Sequence, residues 1–159
     1  EVDHNVKQEI IDIRGEGSFL QNKDFTMISD GSIHINNISG EFKLFGPNSK
    51  LTTDDIKIAG EDIKGNYVNI DGENIVDKLN VQDKTQVNIK TKTSNMFAKS
   101  AIYNKQENII ELFENVIIIR DNESVTGDYA KMNTHDESYF VKTNYKSKRV
   151  KAVLEKNNE

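Results

Sequence analysis

The sequence predicts an all-β protein of stacked antiparallel strand pairs. Three observations carry this: apolar and polar residues alternate with period two, helical periodicity is nearly absent, and one strand–turn–strand unit recurs along the chain. The alternation is visible at Ile56/Ile58, Leu79/Val81, Val87/Ile89, Ile110/Leu112, Val116/Ile118 and Tyr139/Val141. Short polar turns separate these pairs. Asp30-Gly31 and Asp71-Gly72 are expected to supply the positive φ of tight hairpins, and 104–108 and 120–123 read as slightly longer turns. The only proline, Pro47, falls in a turn after a strand, where its missing N–H does no harm. With 159 residues and neither linker nor low-complexity tract, residues 1–159 read as one domain.

The repeat shows in five segments beginning at Ile13, Ile38, Ile63, Met96 and Val125. Each has an apolar residue, Gly or Ala two places on, and an apolar residue closing the segment. The small residues are Gly15, Gly40, Gly65, Ala98 and Gly127, with steps of 25, 25, 33 and 29. A glycine inside a strand marks a bend, a bulge or a close backbone approach, so each unit reads as a strand, a turn and a bent second strand. One unit cannot bury its apolar face alone. Stacking roughly ten strands at about 4.8 Å gives a twisted slab on the order of 50 Å long, with an exposed edge at each end.

Composition excludes several function classes. Twenty-six acidic residues against 21 basic ones leave a formal charge of −5, which argues against nucleic-acid binding. Cysteine is absent, so thiolate metal sites are excluded. No apolar run is long enough to span a membrane, the longest being Val116–Ile119. The start at Glu1 reads as a processed or trimmed chain and leaves the question of a leader open. His4, His34 and His135 lack ligand spacing, and the doublets Asp54-Asp55 and Glu61-Asp62 fall in or beside turns, where carboxylates are solvated rather than poised for catalysis. No phosphate-binding loop and no Ser-His-Asp order is present. A non-enzymatic protein without a cofactor is expected.

Ala98-Lys99-Ser100-Ala101-Ile102-Tyr103-Asn104, followed by 108–112 and 114–118, is similar to the repeated signature of the lipopolysaccharide-transport periplasmic bridge family. So is Gly127-Asp128-Tyr129-Ala130, and 149–154 resembles that family's C-terminal ending. The resemblance is good over 96–154, fair over 38–95 and weak before; Glu114-Asn115 stands where a Gly-Asn pair is usual. It implies an open, twisted β-jellyroll whose apolar interior holds the acyl chains of lipopolysaccharide (lipid A). It also implies a periplasmic location, head-to-tail self-assembly, and partners of the same pathway: an inner-membrane jellyroll protein and an outer-membrane translocon. The membrane-anchored partner itself and a β-helix polysaccharide-binding protein are the competing readings.

The repeat register points one set inward: Val68, Ile70, Leu79, Val81, Val87, Ile89, Ala101, Tyr103, Ile110, Leu112, Val116, Ile118, Ala130, Met132, Tyr139 and Val141. These either line a lipid groove or fill a closed core; small residues at one register favour space left for a ligand. The expected oligomer edges are Ile11 and Ile13 at one end and Lys146, Lys148 and Val150 at the other. Acidic residues near the first edge and basic ones near the second favour a head-to-tail contact. The basic cluster Lys142, Lys146, Lys148, Arg149 and Lys151 either meets lipid A phosphates or protects an edge strand from unwanted pairing.

Overall fold

Residues 1–5, 9–143 and 150–153 are described by the computed structural model. They form β1 (Val2–Asn5), β2 (Ile10–Arg14), β3 (Ser18–Gln21), β4 (Thr26–Ser29), β5 (Ser32–Asn36), β6 (Glu41–Phe45), β7 (Lys50–Thr52), β8 (Lys57–Ala59), β9 (Asp62–Ile70), β10 (Glu73–Lys90), β11 (Asn95–Asn104), β12 (Ile109–Arg120), β13 (Glu123–Asn133), β14 (Tyr139–Lys142) and β15 (Lys151–Val153). All belong to one sheet folded upon itself, as the all-β jellyroll expectation requires. Every pairing among the described residues is antiparallel, which rules out the parallel coils of a β-helix.

Two layers result. The first runs β1-β2-β5-β6-β9 and continues through one half each of β10, β11, β12 and β13 to β14. The second runs β3-β4-β7-β8 and continues through the other halves of those four strands to β15. The long strands cross between layers at irregularities: β10 between Gln82 and Val87, β11 between Phe97 and Ser100, β12 between Phe113 and Val116. Bulges bend a strand and increase its twist, which is what a fold-over needs. In β12 the extra residues Glu114 and Asn115 both adopt positive φ, 61° and 53°, and so turn the strand without a glycine.

The N-terminal half makes the same corners by breaking the strands, at Gly15, Gly31, Gly46 and Gly60. This corrects two expectations. Asp30-Gly31 is no hairpin: neither residue has positive φ, and β4 and β5 do not pair, because the chain changes layers there. Asp71-Gly72 does form the tight turn, with φ of 52° and 85°. The repeat is also out of register early on. Gly15, Ala98 and Gly127 sit at corners, whereas Gly40 lies in the β5–β6 turn and Gly65 in mid-β9, where a Cβ would meet Leu79 Cδ2 at 2.6 Å. The layer-changing positions that match Ala98 and Gly127 are Gly31 and Gly60.

Candidate functional site

The inner faces of the two layers carry apolar rows that run across the strands. In the first layer one row reads Ile13, Ile33, Leu44, Ile63, Val81, Ala101, Leu112, Ala130, Val141, each paired with the next. A second reads Ile11, Ile35, Phe42, Gly65, Leu79, Tyr103, Ile110, Met132, Tyr139. The second layer answers with Leu20, Met27, Leu51, Ile58, Ile89, Met96, Ile118, Val125 and Ala152. Period-two side-chain direction makes such rows unavoidable once the register is set. The result is one apolar seam between the layers, from β2 and β3 to the C-terminal strands.

Of the sixteen residues expected to face inward, twelve are buried in this seam: Leu79, Val81, Val87, Ile89, Ala101, Tyr103, Ile110, Leu112, Val116, Ile118, Ala130 and Met132. Ile110 and Leu112 are wholly covered, and Glu111 lies between them on the other face. Tyr139 and Val141 are in the right rows but incompletely covered, because β14 is the last strand of its layer. Val68 and Ile70 are a correction. Ile63, Gly65 and Tyr67 set the inward phase of β9, so Val68 and Ile70 fall on the outer face, and Ile70 is 51% exposed. A bulge between Val76 and Lys78 resets the phase of β10 and lets Val76, Leu79 and Val81 all point in.

The interior is packed shut rather than gaping. Ala101 and Ala130 flank Leu112 in the ladder and are themselves covered, so the small residues make room for their large neighbour. The sequence reading missed the N-terminal half of the seam: Phe25, Met27, Ile33, Ile35, Phe42, Leu44 and Leu51 are all buried. Ser32-Ile33-His34-Ile35-Asn36 carries a clean alternation that would have found part of it.

The edges also need correction. Ile11 and Ile13 belong to β2, which is paired on both sides, by β1 and β5, so β1 is the edge. Both isoleucines pack against the core instead. At the other end Lys146 and Lys148 lie outside the described residues, and Val150 is exposed and precedes β15. Lys142 of the basic cluster sits 4.8 Å from the Tyr129 ring centroid on the outer face. There the Tyr129 hydroxyl donates to Glu111 Oε1 at 2.5 Å, and this bond, with burial, pushes the phenol up to about 12. His34 is not free either: its Nδ1 lies 2.7 Å from Asp12 Oδ1 on the neighbouring strand.

Opposite the corners, the turns of the two layers face each other across a mouth, held at three places. Lys23 Nζ donates to the Gly72 carbonyl (2.7 Å) and the Asn74 amide to Asp24 Oδ2 (2.9 Å). Asp55 in the β7–β8 turn takes Lys105 Nζ from the β11–β12 turn at 3.0 Å, with Lys92 at 3.5 Å. Thr93 Oγ1 donates to Glu137 Oε1, and Arg120 Nη2 to the Glu137 carbonyl at 2.6 Å. The Lys105 hydrogen bond holds the Asp55 carboxyl below its ordinary range, so that clasp persists above the usual carboxylate pKa and is lost as pH falls through the depressed one. Behind it, burial above all, then the charges of Asp55 and Asp77, push the Tyr103 phenol up to about 12. Among the described residues no cluster of acidic or histidine side chains could hold a metal ion, and no helix is long and apolar enough to cross a membrane.

Residues 82–159 match the model of the OstA-like protein family. That match covers just under half of the chain, its C-terminal part. This OstA-like half starts in β10 and takes in all of β11 to β15, where the strands bend unbroken from layer to layer. No curated protein matches the chain. Among solved structures it is similar to LptH of Pseudomonas aeruginosa, described as the LptA-homologous periplasmic component of the conserved lipopolysaccharide transport device. The TM-score is 0.68 at 12% identity, over 83% of this chain and 95% of that one. At that identity the likeness shows the fold, the open β-jellyroll expected of the sequence. The OstA-like family is one of transport and binding proteins, and the non-enzymatic reading stands with it.

Proposed function

We propose that this protein is a periplasmic lipopolysaccharide carrier that holds lipid A acyl chains between its two layers and bridges the inner and outer membranes by head-to-tail pairing. The observation that carries the reading is the uninterrupted apolar seam, whose rows cross the sheet from β2 and β3 to its last strands. Burial of alkyl chain contributes about 0.8 kcal/mol per CH₂, so such a seam supplies affinity without specific polar contacts. The OstA-like half and the LptH-like fold support the same direction. Assembly follows from the sheet's ends. Among the described residues β1 pairs only with β2 and β3 only with β4, while β14 and β15 each pair only with β13. Such edges are templates for strand addition. Glu1 and Asp3 mark one end and Lys142 and Lys151 the other, which favours a heterologous contact. The partners proposed are lipopolysaccharide, further copies of this chain, and jellyroll and translocon components of the pathway.

The seam is tested by placing a photoreactive residue at Leu112 or Ile118, both buried, and at Lys78 or Lys131, both exposed. Crosslinks to lipopolysaccharide are expected at the first pair and absent at the second. Equal labelling at all four positions means surface adsorption and removes the proposal.

A further inference from the structure

Two cavities open at the mouth of the jellyroll, and a single ion pair divides them. The larger, of about 380 Å³, is bounded by Lys23 and Asp24 on one side and by Asp55 and Lys105 on the other. The smaller, of about 250 Å³, runs from Asp55 and Lys105 to Glu137. Ile56 and Tyr103 line both, and behind them the first reaches Val76 and the second Met132, all four members of the buried core. Each cavity is therefore a window onto the apolar seam, and the Asp55–Lys105 pair is the bar between the windows.

We infer that the Asp55–Lys105 clasp gates a lateral portal through which an acyl chain of an amphiphile passes between the layers. This rests on the lipid-carrying reading and adds where the chain enters. Like its neighbours, the middle clasp joins turns of opposite layers, β7–β8 and β11–β12, so nothing covalent ties its two sides locally, and two further features single it out. Its side chains are exposed, 57% for Asp55 and 37% for Lys105, so water can replace the bond at little cost. The flanking clasps instead use main-chain atoms: the Gly72 carbonyl and Asn74 amide on one side, the Glu137 carbonyl on the other. Parting Asp55 from Lys105 merges the windows into one slot floored by Ile56 and Tyr103, the outermost members of the core there. It also releases Lys92 and Lys105 from their shared carboxylate, leaving two ammonium groups at the rim for an anionic headgroup.

The chain has no cysteine, so D55C/K105C carries a unique pair that a short bismaleimide can staple. The readout is the rate of lipopolysaccharide photocrosslinking at Leu112. The stapled form is expected to lose uptake, while the unstapled double variant keeps it. A control staple at K43C/K64C, neighbouring exposed residues on the outer face, is expected to leave uptake unchanged. D55N, and K105E by repulsion, are expected to take up lipid about twofold to fivefold faster, the size of effect an exposed ion pair can give. Raising the salt concentration is expected to speed the wild type toward D55N. Uptake through the D55C/K105C staple at the unstapled rate overturns the portal and leaves the lipid reading standing. D55N no faster than wild type overturns the gating role. No lipid at Leu112 even in the wild type removes the lipid reading, and the portal with it.

Discussion

Replacing Gly31 by alanine is expected to destabilise the protein by roughly 3–5 kcal/mol, the range of severe packing lesions. Gly31 has no positive φ, so its backbone would accept alanine. The obstacle is space. A Cβ there would fall on the Phe45 carbonyl oxygen and lie 3.0 Å from Gly46 Cα, because the corner between β4 and β5 abuts the corner between β6 and β7. Neither backbone can move easily. Ser29 Oγ donates to the Phe45 carbonyl (3.1 Å), accepts from the Gly31 amide (3.1 Å) and meets Ser49 Oγ at 2.9 Å, and Ser49 Oγ donates to the Gly46 carbonyl. Both serines are buried. Gly72 provides the contrast: it has a positive φ of 85° but open space around it, so alanine there costs only backbone strain, about 1–2 kcal/mol. Urea unfolding of the two variants measures the difference. If G31A is no worse than G72A, the corner-on-corner account of the fold is wrong.

Leu112→Ala is expected to cost about 3–5 kcal/mol and to lower Tm by roughly 10 °C. Leu112 is fully buried and its ladder neighbours are Ala101 and Ala130, too small to collapse into the space it leaves. The cost therefore falls toward the upper part of the Leu-to-Ala range. Ile70→Ala, at a position 51% exposed on the outer face, is expected to stay within about 0.5 kcal/mol of wild type. Thermal unfolding of both variants checks the assignment of inside and outside. A larger loss for I70A than for L112A would reverse it.

The strand content and the inward faces of β10 and β12 were legible because period-two alternation survives a bulge that adds an even number of residues, whereas the inward residues of β11 and β13 change phase at the corner, from Ala98 to Ala101 and from Val125 to Ala130. Between Leu112 and Val116 the phase is unbroken although Glu114-Asn115 turns the strand. Around the β9–β10 turn it was not legible. The single-residue bulge at Asp77 breaks the alternation, and Val68 and Ile70 look like a continuation of the β9 core when they have already passed outside. The same limit applies to glycine. Gly40 and Gly65 fit a repeat by spacing, but each is small for a local reason, at a turn and against Leu79, and only pairing separates these from the corners at Gly31 and Gly60. The edge was misplaced because alternation identifies strands without saying which are paired twice. Ile11 and Ile13 alternate as an edge strand would, and β1 covers them. The clasps at the mouth join residues up to fifty positions apart, such as Asp55 and Lys105, and no local pattern announces them.

Native mass spectrometry across a protein concentration series, with and without lipopolysaccharide, tests the central claim most directly, because it reports ligand and assembly together. The account predicts a lipopolysaccharide-bound protein and a ladder of oligomers that lengthens with concentration and shortens when 145–159 are removed. A protein that stays monomeric and lipid-free at every concentration would contradict it.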